Sequence, residues 1–108
     1  LQSVQRSREN LQLSTATLRD NLEYQLEDLA LQVSDTRALV EIQDQSVSLL
    51  RTRVNDLEGQ LESGLSSYPE VIQARSDMYE AALDVQQNRY QISVFMAEIL
   101  LLSGALVP

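Results

Sequence analysis

The chain has 108 residues, a formal net charge of −8 and 5% aromatic residues. All eight basic residues are arginines, and the acidic excess argues against nucleic acid as a partner because phosphates require cationic side chains. Cysteine and histidine are absent, which excludes disulfides, thiol nucleophiles and the commonest zinc ligands.

A long first helix is predicted over residues 1–62. Its apolar side chains recur every seven residues, which is the interval of a coiled-coil seam. The seam consists of Leu26, Val33, Val40, Val47, Val54 and Leu61. A companion row, polar in its middle, consists of Leu22, Leu29, Thr36, Gln43, Leu50 and Leu57.

The first helix carries more apolar surface than one seam requires. Five further apolar residues lie outside the seam, at Leu31, Ala38, Leu39, Ile42 and Leu49. A two-helix coiled coil needs only one apolar stripe, so we expect this helix to have neighbours on both flanks.

Residues 63–67 are predicted to form the tip of a helical hairpin. Gly64 adopts the left-handed conformation that ends a helix at low cost, whereas Pro69 is tolerated only in the first turn of a helix. Ser67 and Glu70 have the spacing of a capping box, in which each side chain accepts a hydrogen bond from a backbone N–H of the other residue. The segment therefore predicts the end of one helix, a turn, and the start of another.

A second helix is predicted over residues 68–104, followed by a tail at 105–108 that leads to the rest of a longer polypeptide. Ser103 and Gly104 supply the stop signal. The rows of this helix are Val71, Met78, Val85, Ile92, Ile99 and Leu106, and Ala74, Ala81, Asn88, Phe95 and Leu102. The predicted fold is all-α, a long antiparallel coiled-coil hairpin.

The two predicted helices differ in length, roughly 90 Å against roughly 55 Å at ~1.5 Å per residue. When they fold antiparallel, residues near 103 lie opposite residues near 28. Four apolar residues then lack a partner within the chain: Val4, Leu11, Leu18 and Leu22. We expect them to pack against other helices, because isolated helices are marginal in water.

The acidic residues are spread along helix faces and have no histidine or cysteine to complete a nucleophilic relay. Two acidic clusters occur, at Glu23, Glu27 and Asp28 and at Asp56, Glu58 and Glu62. Hard divalent cations need several oxygens that converge from a loop or from facing helices. Solvated helix surfaces are the favoured interpretation, and no catalytic, cofactor-binding or metal-binding residue is expected.

Four segments follow one another in a distinctive order and spacing, at residues 64–75, 79–81, 88–90 and 100–106. Together they resemble the C-terminal helical repeat of TolC-like outer-membrane efflux proteins. The specific part of the resemblance covers about residues 60–107, whereas the first helix is similar only in its length and period.

The resemblance implies a fragment of the periplasmic α-barrel of a trimeric outer-membrane channel from a Gram-negative bacterium. In that family, substrates leave when an inner-membrane transporter and a periplasmic adaptor join the lower end of the channel. Membrane contact would then be made only by parts of the protein outside this chain. The implied adaptor-docking and pore-entrance tip consists of Gly64, Leu65, Ser66, Ser67, Glu70 and Gln73.

Two tip residues depart from the family pattern. Gln73 replaces a common aspartate, and Ser66 replaces an arginine that some members carry, so a gate held closed by charge is not implied. The alternative interpretation is a structural coiled-coil hairpin, such as the hairpin of a periplasmic adaptor or a soluble scaffold. Adaptor hairpins also consist of two heptad helices with a tip, so period and length do not separate the two.

Overall fold

The computed structural model describes the backbone of residues 1–106 and the side chains of residues 1–105. The described chain contains two α-helices, α1 at Gln2–Glu62 and α2 at Tyr68–Leu106, and no β-strand. This confirms the all-α prediction. Neither helix, over its described residues, is apolar enough along its length to cross a membrane.

Segments of both helices combine in two compact units. One unit is Ser34–Ser93, which contains the turn, and the other is Leu1–Val33 together with the described residues from Val94 onward. Each unit therefore joins a stretch of α1 to a stretch of α2.

Within Ser34–Ser93 the two helices run antiparallel, because the side-chain contacts between them progress in opposite directions along the chain. The contacting pairs are Gln43 with Asn88, Asp44 with Arg89, and Glu58 with Arg75. A residue n of α1 in this unit thus lies opposite about residue 132 − n of α2. The predicted hairpin is confirmed for this unit.

A narrow row of small side chains forms the core of this unit. The residues exposed by no more than 9% are Val40, Val47, Val54, Val71, Ala74 and Val85. All of them belong to the predicted seam rows, and Ala81, Ala82 and Ile92 pack against the cluster of Val40, Val47 and Val85. Burial of a valine side chain contributes about 1.5 kcal/mol, so this seam is the main source of stability in the unit.

The other unit has a smaller core. Leu29 and Val33 are buried, and Phe95, Ile99 and Leu102 are half-buried. The seam prediction therefore holds here as well.

The apolar residues near the start of α1 are largely unburied. Val4, Leu11 and Leu18 are each at least 60% exposed, as predicted for residues without a partner in the chain. The prediction was wrong for Leu22, which is half-buried.

The predicted end of the second helix was also wrong. α2 passes through Ser103 and Gly104 and includes residues 105 and 106, while residues 107 and 108 lie outside the described chain. Glycine permits a left-handed helix end but does not require one, and Gly104 keeps a negative φ. Leu102 and Ser103 are both half-buried, and this packing favours continued helix.

One polar layer interrupts the apolar seam. Nδ2 of Asn88 donates a hydrogen bond of 2.8 Å to Oε1 of Gln43, and the pair is partly buried. In the sequence, Asn88 is the only polar member of its row, and Gln43 is one of two polar members of its row, with Thr36. A buried polar layer favours one register at some cost in stability.

Gly59 and Gly64 are expected to respond in opposite directions to alanine. Gly59→Ala should raise the free energy of unfolding by about 0.5–1 kcal/mol, because Gly59 lies within α1 and its added Cβ meets no atom within 4 Å. Gly64→Ala should lower it by about 1 kcal/mol, because Gly64 has a φ of 76°. Urea denaturation followed by circular dichroism measures both, and two changes of equal sign would contradict this account.

Replacing both members of the polar layer should stabilise the hairpin. Gln43→Leu together with Asn88→Leu is expected to raise the free energy of unfolding by about 1 kcal/mol or more, because two apolar side chains replace a hydrogen-bonded pair. Asn88→Ala alone should lower it by about 1 kcal/mol, since Gln43 then loses its partner. The same urea titration tests both variants. A double variant less stable than the parent chain would refute the account.

Candidate functional site

The tip begins where α1 ends in a Schellman motif. The backbone N–H of Leu65 donates to the carbonyl of Gln60 at 2.8 Å, and that of Gly64 donates to the carbonyl of Leu61 at 3.1 Å. Gly64 supplies the positive φ that this motif requires. Two carbonyls at the end of the helix are satisfied in this way, and the predicted role of Gly64 in ending the helix is confirmed.

The start of α2 contains both hydrogen bonds of the predicted capping box. The backbone N–H of Ser67 donates to Oε2 of Glu70 at 3.2 Å, and the N–H of Glu70 donates to Oγ of Ser67 at 3.4 Å. Pro69 lies in the first turn, where its missing N–H leaves no helix bond unmade. The Glu70 carboxylate also stabilises the helix N-terminus through the helix dipole.

Ser66 connects the turn to α1. Its Oγ donates a 2.7 Å hydrogen bond to the carbonyl of Leu57, nine residues earlier in the chain, and this contact is partly buried. From the sequence, Ser66 was predicted only as a residue of the docking tip. No local pattern indicates a bond of this span, because it depends on how the turn folds back against the last turns of the first helix.

An arginine–glutamate pair joins the two helices next to the tip. Nε and Nη2 of Arg75 both donate to Oε1 of Glu58, at 3.0 and 2.7 Å. These hydrogen bonds raise the pKa of Arg75 above its usual range. The negative charge of Glu58 makes a smaller contribution in the same direction. Arg75 therefore keeps its positive charge at neutral pH. Because both side chains are partly exposed, the pair contributes more to orientation than to stability.

The pairing of Arg75 with Glu58 was not predicted from the sequence. Glu58 was assigned to an acidic cluster, and Arg75 was noted only for its place in the family resemblance. The register of the hairpin, which places residue 58 opposite residue 75, was the signal that could have identified the pair. In the described chain, no three acidic, histidine or cysteine side chains are grouped so that they could hold a metal ion.

The structure separates the predicted tip residues into two groups. Leu65, Glu70 and Gln73 line one open groove of about 450 Å³, which α1 completes with Arg53, Leu57 and Gln60. Nε2 of Gln73 donates to Oδ1 of Asp77 at 3.0 Å along this groove. The other three residues, Gly64, Ser66 and Ser67, shape the turn itself.

Two apolar side chains project into solvent at the tip. Leu65, in the turn, is 79% exposed, and Tyr68, the first residue of α2, is 69% exposed, although hydrogen bonds fix the backbone on either side of the turn. An exposed tyrosine or leucine on a preorganised turn provides contact area for a partner at low entropic cost. Tyr68 was not among the predicted tip residues, although an aromatic residue before Pro69 was the available signal.

Ser67→Ala is expected to lower the free energy of unfolding by about 1 kcal/mol, because it removes the N-cap oxygen that accepts from Glu70. Ser63→Ala is the matched control, since the Oγ of Ser63 makes only an exposed 3.5 Å contact with the carbonyl of Gly59. Chemical denaturation monitored by circular dichroism compares the two. An equal decrease in the free energy of unfolding for both variants would show that the capping box does not stabilise the hairpin.

No family model matches this chain, and neither a curated protein nor a solved structure shows significant similarity to it.

Proposed function

We propose that this hairpin forms part of the periplasmic tunnel wall and the adaptor-docking tip of an outer-membrane channel of the tripartite efflux or type I secretion kind. The proposal combines the resemblance of the tip and α2 to TolC-like proteins with one structural observation. That observation is apolar surface on the outer faces of both helices, in addition to the seam between them.

This outer apolar surface is extensive within Ser34–Ser93. The seven apolar side chains concerned are between 47% and 73% exposed, and they are Leu39, Ile42, Leu49, Ile72, Tyr79, Leu83 and Tyr90. Scattered exposed apolar residues are ordinary, but rows of them along both helices mark interaction surfaces. In a wall built from helices, each helix touches neighbours on two sides, and these rows supply the second side.

The tip supports docking through shape and apolar contact. Leu65 on the turn and Tyr68 at the start of α2 are exposed, whereas the hydroxyl of Ser66 and the amide of Gln73 already bond within the chain. Partners under this proposal are the other subunits of a homotrimeric parent, a periplasmic adaptor and an inner-membrane transporter. Drugs or secreted proteins would be the substrates.

A structural coiled-coil hairpin, such as that of an adaptor, is the second candidate. The seam between the helices favours it equally, because the same seam serves any hairpin of two heptad helices. The sequence encoded on either side of this chain distinguishes the two. Flanking strands that alternate lipid-facing and polar residues support the channel, and a lipoyl-like domain split around the hairpin supports the adaptor.

Leu65→Asp in the parent protein is expected to reduce cross-linking to the adaptor on the order of tenfold, because a carboxylate replaces an exposed apolar contact on the tip. Export should fall with it, as increased drug sensitivity or reduced secretion. Leu65→Met and Ser63→Asp are the controls; the first retains an apolar side chain at residue 65, and the second places a charge on the first residue of the turn, which is not among the predicted docking residues. Normal cross-linking and normal export by Leu65→Asp would show that the tip is not the docking site.

A further inference from the structure

A second heptad row runs along the outer face of α2, away from the seam. It alternates steps of four and three residues, and its members within Ser34–Ser93 are Ile72, Ser76, Tyr79, Leu83, Gln86, Tyr90 and Ser93. All seven are exposed, although four of them are large apolar residues. An open groove of about 550 Å³ lies along the first half of this outer row of α2. Such spacing is typical of a helix that packs against another helix.

α1 has a corresponding outer row with the same alternation of steps. Its members are Asp35, Ala38, Ile42, Gln45, Leu49, Thr52, Asp56 and Gly59. Each outer row lies roughly 150° around its helix from the seam, in opposite senses on the two antiparallel helices. The two rows therefore lie on opposite edges of the hairpin. The outer row of α2 in one copy can face the outer row of α1 in another.

The two rows match when two copies lie side by side with their tips level. The helices then meet antiparallel in the register of the hairpin itself, residue n of α1 opposite about residue 132 − n of α2. In this arrangement the three central facing pairs are Leu49 with Leu83, Ile42 with Tyr90, and Gln45 with Gln86. Two of these pairs are apolar and the third joins two amides, whereas nearer the tip Tyr79 faces Thr52 and Ile72 faces Gly59.

The charges beside the two rows are complementary in the same register. Arg53 faces Glu80, and Glu41 faces Arg89, which also bonds to Asp44 of its own chain, whereas no position beside the rows brings like charges together. Arg53 and Glu80 have no ion-pair partner among residues 1–106 of their own chain. Opposite charges at such flanking positions set partner choice and orientation in coiled coils.

We propose that the outer row of α2 docks on the outer row of α1 in a second copy of this chain, with both tips at the same end. The contact is heterologous, so each copy retains one free row and further copies add side by side. This inference deepens the wall proposal by identifying the neighbour, and it rests on that proposal for its biological role. The facing residues and the charge pairs all belong to this 108-residue chain. Self-docking can therefore be tested without an adaptor, separately from docking of the tip.

Paired cysteines test the register, because the chain contains no native cysteine. Gln45→Cys and Gln86→Cys in one 108-residue chain lie on opposite edges, so oxidation should link them between copies and give a ladder of dimers and higher oligomers. Gln45→Cys with Ser93→Cys is the control. It displaces one partner by a heptad, ~10 Å along the helix, beyond the reach of a disulfide. A control that cross-links as well as the matched pair would overturn the proposal.

Charge reversal tests the flanking contacts in the matched cysteine chain. Arg53→Glu should reduce the yield of cross-linked oligomer several-fold by placing two carboxylates opposite each other, and adding Glu80→Arg should restore it. A chain that light scattering shows to be a helical monomer at all concentrations would refute self-docking. So would cross-linking of residue 86, in the parent protein, only to a different helix. Either of these outcomes leaves the tip variant Leu65→Asp to decide adaptor docking independently.

Discussion

The arrangement of the hairpin depends on a seam of small β-branched side chains that repeats every seven residues along both helices. Valine and alanine fill the seam in the Ser34–Ser93 unit, and none of its buried residues is larger than valine. A core this narrow uses only one face of each helix. The remaining apolar side chains therefore stay in solvent, and the proposals on wall formation and lateral docking follow from that excess.

The turn determines which residues meet across the seam. Five non-helical residues separate Glu62 from Tyr68, and backbone hydrogen bonds, the capping box and the bond from Ser66 to Leu57 hold them in one conformation. The pair of Arg75 and Glu58 then fixes the first contact beyond the turn. A tip with this many independent restraints presents Leu65 in a defined position, which is what a docking surface requires.

Features that depend on neighbouring residues in sequence were predicted, and so was the approximate register, but the individual side-chain contacts next to the turn were not. The seam rows, Gly64 as a helix end and the capping box all follow from local spacing, and the structure contains each of them. The bond from Ser66 to Leu57 and the pair of Arg75 with Glu58 join residues whose proximity follows from the folded turn. The stop predicted at Gly104 failed because packing of the preceding turn outweighed a local preference.

The hydrogen-bonded layer of Asn88 and Gln43 has a consequence for how such a hairpin changes over evolution. A shift of α2 by one heptad would place the Asn88 amide beside Leu50 or Thr36 instead of Gln43. The helices would then no longer meet in the register that the turn imposes. An insertion or deletion in one helix alone has the same effect on every layer beyond it. The hairpin therefore lengthens or shortens most readily by paired changes of seven residues, one in each helix and at the same distance from the tip.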